Sequence, residues 1–150
     1  MYDPSKGVIA IATGYSGGKY KYSKINNDLL QPDTMKSTPD QMQDLDTYIN
    51  GKGYLKRTVM EHSRSKWECN TCTLTEKQWI SICDLLDKGF RVKDGKASVK
   101  KRHLKARFYN DWTHDYATMY CYVPDIDFQY KLVLNGELNY QPIRIAFIEL

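Results

Sequence analysis

Leu74-Thr75-Glu76-Lys77-Gln78-Trp79-Ile80-Ser81-Ile82-Cys83-Asp84-Leu85-Leu86-Asp87-Lys88-Gly89 is the stretch of this chain that reads most clearly as a helix. Thr75 and Gln78 form a capping box, in which the threonine hydroxyl satisfies an early amide and the glutamine reaches back to the cap. Trp79, Ile82, Cys83 and Leu86 then recur at i, i+3, i+4 and i+7, one apolar stripe running along three turns. Gly89 is expected to end the helix by turning left-handed. A lone amphipathic helix cannot make a core by itself and needs a sheet to lie on. The fold therefore turns on whether the remaining chain is strand.

Most of it reads as short strands. Val8 to Thr13 is an apolar run that ends at Gly14, and Gly17-Gly18 separates it from Lys19 to Ile25. In that second run Tyr20 and Tyr22 share one face while Lys19, Lys21 and Ser23 take the other, the two-residue period of a half-exposed strand. Strand character returns at Tyr54 to Glu61, after the turn Asn50-Gly51-Lys52-Gly53, and again at Ser65 to Leu74, Leu104 to Tyr109, Thr118 to Val123 and Phe128 to Leu134. Asn135-Gly136 is the strongest hairpin signal, since both residues tolerate the positive φ of a type I′ turn. Beyond Pro142, Ile143, Ile145 and Phe147 alternate with Arg144, Ala146 and Ile148. Asn26 to Asp46 contains Pro32 and Pro39 and keeps no period, so it reads as a long loop that orders or contacts something.

These readings predict a mainly β (α+β) chain: an antiparallel β-sandwich or rolled sheet with one flanking α-helix. At 150 residues it has the size of a single domain, 1–150. With 41% hydrophobic and 27% charged residues it can bury a core, which sets it apart from disordered chains. No apolar run approaches the roughly 20 residues of a membrane helix, and the short stretch Val8 to Ala12 does not read as a secretory signal.

Charge is unevenly placed within a net +4. Asp28 to Tyr48 carries five acids, among them Asp40, Asp44 and Asp46, against Lys36. Gly89 to Arg107 carries Arg91, Lys93, Lys96, Lys100, Lys101, Arg102, Lys105 and Arg107 against Asp94. Blocks of opposite sign suit docking between copies, a basic loop that touches nucleic acid, or a solvated surface. Tyr109, Trp112, Tyr116, Tyr120 and Tyr122 follow the basic block directly. Aromatics interleaved with cations can clamp single-stranded nucleic acid, and equally they anchor protein interfaces.

Signals for catalysis and metal binding are sparse. Cys69-Asn70-Thr71-Cys72 has zinc-ligand spacing, but Cys83 and Cys121 do not supply a second pair, so ordinary packed thiols are expected. Gly14-Tyr15-Ser16-Gly17-Gly18 lacks the lysine of a phosphate loop and reads as a hairpin turn. Asp125 and Asp127, two apart, could hold a divalent cation or act with His114, though after Pro124 they are also good turn chemistry. No catalytic, metal or cofactor residue is assigned, and no enzymatic activity is expected.

Several short pieces resemble a group of small tail-associated proteins of prophages and tailed phages. They are Lys24-Ile25-Asn26-Asn27, then Tyr48 to Arg57 with its Asn50-Gly51 turn and Gly53-Tyr54-Leu55-Lys56-Arg57, then His62 to Trp67, Leu74-Thr75-Glu76-Lys77-Gln78, and the closing Tyr140 to Glu149. The resemblance implies a tail-tube-like or distal-tail-like domain, a structural virion component whose copies form rings, usually sixfold (a hexameric ring), around a channel that DNA crosses only transiently. It implies other phage tail proteins as partners, no cofactor, no membrane, and a place in the virion after synthesis in the bacterial host cytoplasm. Long loops make the inter-subunit contacts in such assemblies. By analogy, Asn26 to Tyr48 with Asp40, Asp44 and Asp46, and Lys93 to Arg102 continued by Lys105 and Arg107, are the candidate contact segments here. The cysteines match no family function. The alternative is a small β-rich nucleic-acid-binding protein using the basic 93–107 segment, and a third is a metal-dependent enzyme built on Asp125, Asp127 and His114.

Overall fold

The computed structural model describes residues 1–150. Twelve strands and one helix follow in order: β1 (Ile9–Ser16), β2 (Lys19–Lys24), β3 (Lys36–Gln41), β4 (Asp44–Ile49), β5 (Leu55–Val59), β6 (Arg64–Asn70), β7 (Leu74–Thr75), α1 (Glu76–Phe90), β8 (His103–Asn110), β9 (Asp115–Tyr122), β10 (Tyr130–Leu134), β11 (Glu137–Tyr140) and β12 (Arg144–Glu149). Seven strands make one sheet in the order β2-β1-β8-β9-β12-β6-β3. A second sheet has the order β10-β11-β7, and β4 pairs with β5 alone. All strand pairings are antiparallel. The chain is mainly β with one flanking helix, as its alternating patterns predict.

The helix begins where the sequence places it. The Thr75 hydroxyl accepts the Gln78 amide at 3.4 Å while the Gln78 side chain accepts the Thr75 amide at 3.0 Å, so both halves of the capping box are made. Trp79, Ile82 and Leu86 are buried, and α1 packs on β1 and β8 of the large sheet and on β7 and β11 of the small one. The expected role of Gly89 is corrected. The helix runs through it to Phe90, and a Cβ there would lie 2.6 Å from Cγ2 of Ile11. The glycine serves close approach of helix to sheet rather than a left-handed turn.

One face of the large sheet supplies the core. Register places Ile9 beside Phe108, Ile11 beside Ala106, Ala106 beside Met119, and Leu104 beside Cys121, all buried. Ile145 pairs with Cys69 and Phe147 with Trp67, continuing the same layer across β12 and β6. Burying side chains of this size stabilises the fold by about 1.5–3 kcal/mol each. Where β6 ends, the fully buried Thr71 keeps its polar groups satisfied: its Oγ1 accepts the Ile143 amide at 3.0 Å and donates to the Cys72 carbonyl at 2.8 Å.

The largest correction concerns Asn26 to Asp46. Two short 3₁₀ turns, Asn27–Leu29 and Pro32–Thr34, open it, but Lys36–Gln41 and the start of β4 are strand. Pro39 is tolerated because β3 is the outermost strand beside β6, where a missing N–H costs no ladder bond on the open side. Other boundaries shift as well, β5 being shorter (Leu55–Val59), β9 opening at Asp115 rather than Thr118 and β10 at Tyr130 rather than Phe128. β1 passes through Gly14 by a bulge at Thr13, and β6 stops at Asn70 rather than running to Leu74. The Gly17-Gly18 and Asn135-Gly136 turns form as expected, with φ of 58° and 79°, and 27° and 83°.

Candidate functional site

The β4–β5 hairpin has no core beneath it. Every residue of both strands is exposed, including Leu45, Tyr48, Ile49 and Leu55, and Ile49 is 70% exposed. Cross-strand register places Ile49 beside Leu55, Tyr48 beside Lys56 and Thr47 beside Arg57. The turn is built by Asn50, whose Oδ1 accepts the amides of Lys52 and Tyr54 at 3.0 Å, with Gly53 at φ 84°. Near the base, Arg57 grips Asp44 at 2.7–2.8 Å, and both side chains are partly exposed. At about 3.3 Å per residue the strands reach out roughly 20 Å. The result is a stiffly turned ribbon that ends in an apolar pair.

The acids of the first charged block sit unequally. Asp40, at φ 51°, is engaged by its own chain: its amide donates to Ser65 Oγ at 3.0 Å, and its Oδ2 accepts from Asn110 Nδ2 at 3.2 Å. Asp44 is paired to Arg57, whereas Asp46 stands on the exposed hairpin. These three do not form one patch.

The basic block also divides. Lys105 and Arg107 alternate on β8 with the buried Leu104, Ala106 and Phe108, so they point to the outer face of the large sheet. There they meet tyrosines. Lys105 Nζ lies 4.2 Å from the Tyr20 ring centre and 4.6 Å from that of Tyr120, Lys96 lies 4.2 Å over Tyr120, and the Arg107 guanidinium lies 4.8 Å over Tyr22. Such contacts contribute about 0.5–1 kcal/mol each at exposed sites. Tyr20 donates to Asp94 Oδ2 at 3.0 Å and, its single proton being so used, accepts from the Tyr120 hydroxyl at 2.6 Å. Desolvation, followed by the Tyr120 and Asp94 hydrogen bonds, pushes the Tyr20 hydroxyl well above the ordinary tyrosine range. Asp94 is raised by desolvation, but amide donors at Ala97 and Lys96 and the Tyr20 hydroxyl outweigh this and hold it below the ordinary carboxylate value. Asp94 thereby fastens the 91–102 loop to the sheet. Arg102 pairs with Asp125 at 3.1 Å, while Lys93, Lys100 and Lys101 are exposed on the loop. Tyr109, Tyr116, Tyr120 and Tyr122 share the outer sheet face, and Trp112 projects alone from the β8–β9 turn.

The other chemical candidates do not converge. His114 lies before β9 and Asp125 and Asp127 after it, about 25 Å apart by strand rise. Cys69 is buried in β6, and desolvation pushes its thiol up to about 12. Cys72 is only partly buried, and its thiol lies 3.8 Å from the Asp28 carbonyl. No group of three or more His, Cys, Asp or Glu side chains gathers at metal-binding distance. No helix is long and apolar enough to cross a membrane.

The Asn50-Gly53 turn and β5 are legible in the sequence but β4 is not, so the hairpin does not stand out there as a unit; Leu45, Tyr48 and Ile49 beside that turn are the signal for it. Tyr20 and Tyr22, distant in sequence from the basic block, complete the cation-lined face, which no spacing along the chain reveals.

No curated protein matches the chain. Among solved structures, a chain in the tail of an empty GTA particle, refined helically with C6 symmetry, aligns over 100% of this chain and 95% of its own length at 11% identity and a TM-score of 0.49. That likeness is too slight to carry a role or an assembly across to this chain. The model of a family of unknown function, DUF6711, matches residues 13–150, and the chain belongs to that family.

Proposed function

We propose that this chain is a structural component of a bacteriophage tail, without enzymatic activity, whose copies assemble into a ring through the β4–β5 hairpin. The observation that carries the assembly step is the exposure of Leu45, Tyr48, Ile49 and Leu55 on a ribbon with no cover from its own chain. A two-stranded hairpin is marginal in water unless something packs on it. Covering one such aliphatic side chain stabilises a contact by about 1.5–3 kcal/mol. The tail role and the sixfold ring rest on the resemblance of short pieces, from Lys24-Ile25-Asn26-Asn27 to Tyr140–Glu149, to tail-associated proteins. Other tail proteins are then its partners and the virion its place.

Light scattering on a size-exclusion column, at low and high salt, tests this reading. A discrete multimer free of nucleic acid is expected at both. A monomer at every concentration overturns it. A second reading, nucleic-acid binding, is favoured by one observation: Lys96, Lys105 and Arg107 lie over tyrosine rings on one sheet face. In the same experiment it requires nucleic acid that co-elutes and is shed at high salt.

A further inference from the structure

We infer that the tip of the β4–β5 hairpin seats Ile49 and Leu55 in the apolar groove between α1 and the 123–128 segment of a second copy of this chain. The inference rests on the assembly reading above and names its receiving site. The groove has a volume of about 430 Å³ and is walled by Trp79, Cys83, Leu86 and Phe90 on one side and Ile126 and Phe128 on the other. It is the concave apolar counterpart of a convex apolar tip. Phe128 is 47% exposed although it packs edge-on against Trp79 at 5.3 Å, so an apolar guest gains contacts there at once.

Charge agrees with the fit. From Ile49 to Lys56 the tip carries Lys52 and Lys56 and no acid, while Arg57 behind it is already paired to Asp44. With Arg102 also in its lining, the groove mouth carries Asp87 and Asp125. Each has one intrachain cation, Arg91 for Asp87 and Arg102 for Asp125, yet both carboxylates remain at least half exposed and can accept a second donor. A tip of net positive charge thus meets the carboxylates flanking the groove, which favours one orientation of docking. Tip and groove are different surfaces of one chain, so the contact is head-to-tail. Repeated, it closes into a ring or continues as a stack.

Cys83 in the groove wall supplies the test. Leu55→Cys introduces a thiol at an exposed position where the fold is indifferent to it. Oxidation with copper phenanthroline should join that thiol to Cys83 of the next copy and give a ladder of covalent multimers beyond the dimer on a non-reducing gel. Peptide mapping should find the 55–83 link, and Leu55→Cys/Cys83→Ser should lose the ladder. A covalent dimer that persists in the double variant and maps to a 55–55 link means tip-to-tip pairing, and one that maps to Cys72 places the tip elsewhere; either overturns the inference. A 55–83 link within one chain overturns the second copy as occupant. A multimer by light scattering that never cross-links at 55–83 overturns the groove while leaving assembly standing. Dimers alone that vanish in the double variant uphold the groove and overturn the ring. A chain that stays monomeric at every concentration overturns both.

Discussion

Gly89 and Ile11 touch so closely that a single methyl group will not fit between them: a Cβ on Gly89 would sit 2.6 Å from Ile11 Cγ2. Ile11 is fully buried and branched at Cβ, so it cannot swing aside. Alanine gains about 1 kcal/mol of helix propensity over glycine, but overpacking a core costs about 1–3 kcal/mol. Gly89→Ala is therefore expected to lower stability by up to about 2 kcal/mol. Urea unfolding should show an earlier midpoint with unchanged slope. A stabilised variant would mean that α1 stands further from β1.

Glu68 on β6 bridges to Arg144 on β12, with Nε–Oε2 at 2.9 Å. The Arg144 hydrogen bond holds the Glu68 carboxyl below its ordinary value against the opposing desolvation. A depressed folded value means this stability is complete above the unfolded pKa, about 4.3, and is lost as pH falls through the folded one. Both side chains are partly exposed, so the amount is about 0.5–1 kcal/mol. Glu68→Gln should flatten the acid limb of a stability–pH curve by that much and leave its neutral region lower. An unchanged acid limb would count against the pair.

Tyr20 works in the opposite direction. Its raised folded value gives stability that is full below the unfolded tyrosine pKa, about 10, and is lost as pH rises toward the folded one. Spectrophotometric titration should show Tyr20 ionising only as the protein unfolds in alkali. Tyr20→Phe removes the hydroxyl between Tyr120 and Asp94 and should cost about 1 kcal/mol at neutral pH. It should also loosen the 91–102 loop, read as faster amide exchange at Lys96 and Ala97, which donate to Asp94. Unchanged exchange there would show that the loop is ordered without Tyr20.

The helix and most strands were legible because each carries its own period. Trp79, Ile82 and Leu86 mark a helical stripe, and Ile143, Ile145 and Phe147 mark a buried strand face. Capping and turn chemistry at Thr75, Gln78, Asn135 and Gly136 is likewise local and survives without tertiary knowledge. The β3–β4 region was not legible for two reasons. β3 is an edge strand, so Pro39 and polar residues persist in it, and β4 is covered on neither face, so nothing imposes alternation on it. The cation-lined sheet face was hidden for a third reason. It unites Tyr20 and Tyr22 with Lys105 and Arg107 through β1, which stands between β2 and β8 in the sheet, and no spacing along the chain records that neighbourhood. Gly89 shows the limit of local rules: its place near a helix end suggested a cap, while its cause is the isoleucine of another element.

The exposed hairpin and the charged blocks offer two different ways to hold copies together, and substitutions separate them. Ile49→Asp places a carboxylate on the exposed ribbon, where the intrachain partner lost is the cross-strand Leu55, so monomer stability should change by no more than about 1 kcal/mol. The multimer should nevertheless disappear, because burying an unpaired charge in an apolar contact costs far more than the lost isoleucine contributes. Lys100→Glu changes an exposed loop cation with no partner in its own chain. Interactions between exposed charges are screened over about 8 Å at physiological salt, so this variant should shift the salt dependence of assembly and spare the multimer itself. Light scattering on the two variants at two salt concentrations checks both expectations. If Lys100→Glu abolishes the multimer and Ile49→Asp leaves it intact, the charged loop rather than the apolar tip holds the copies together.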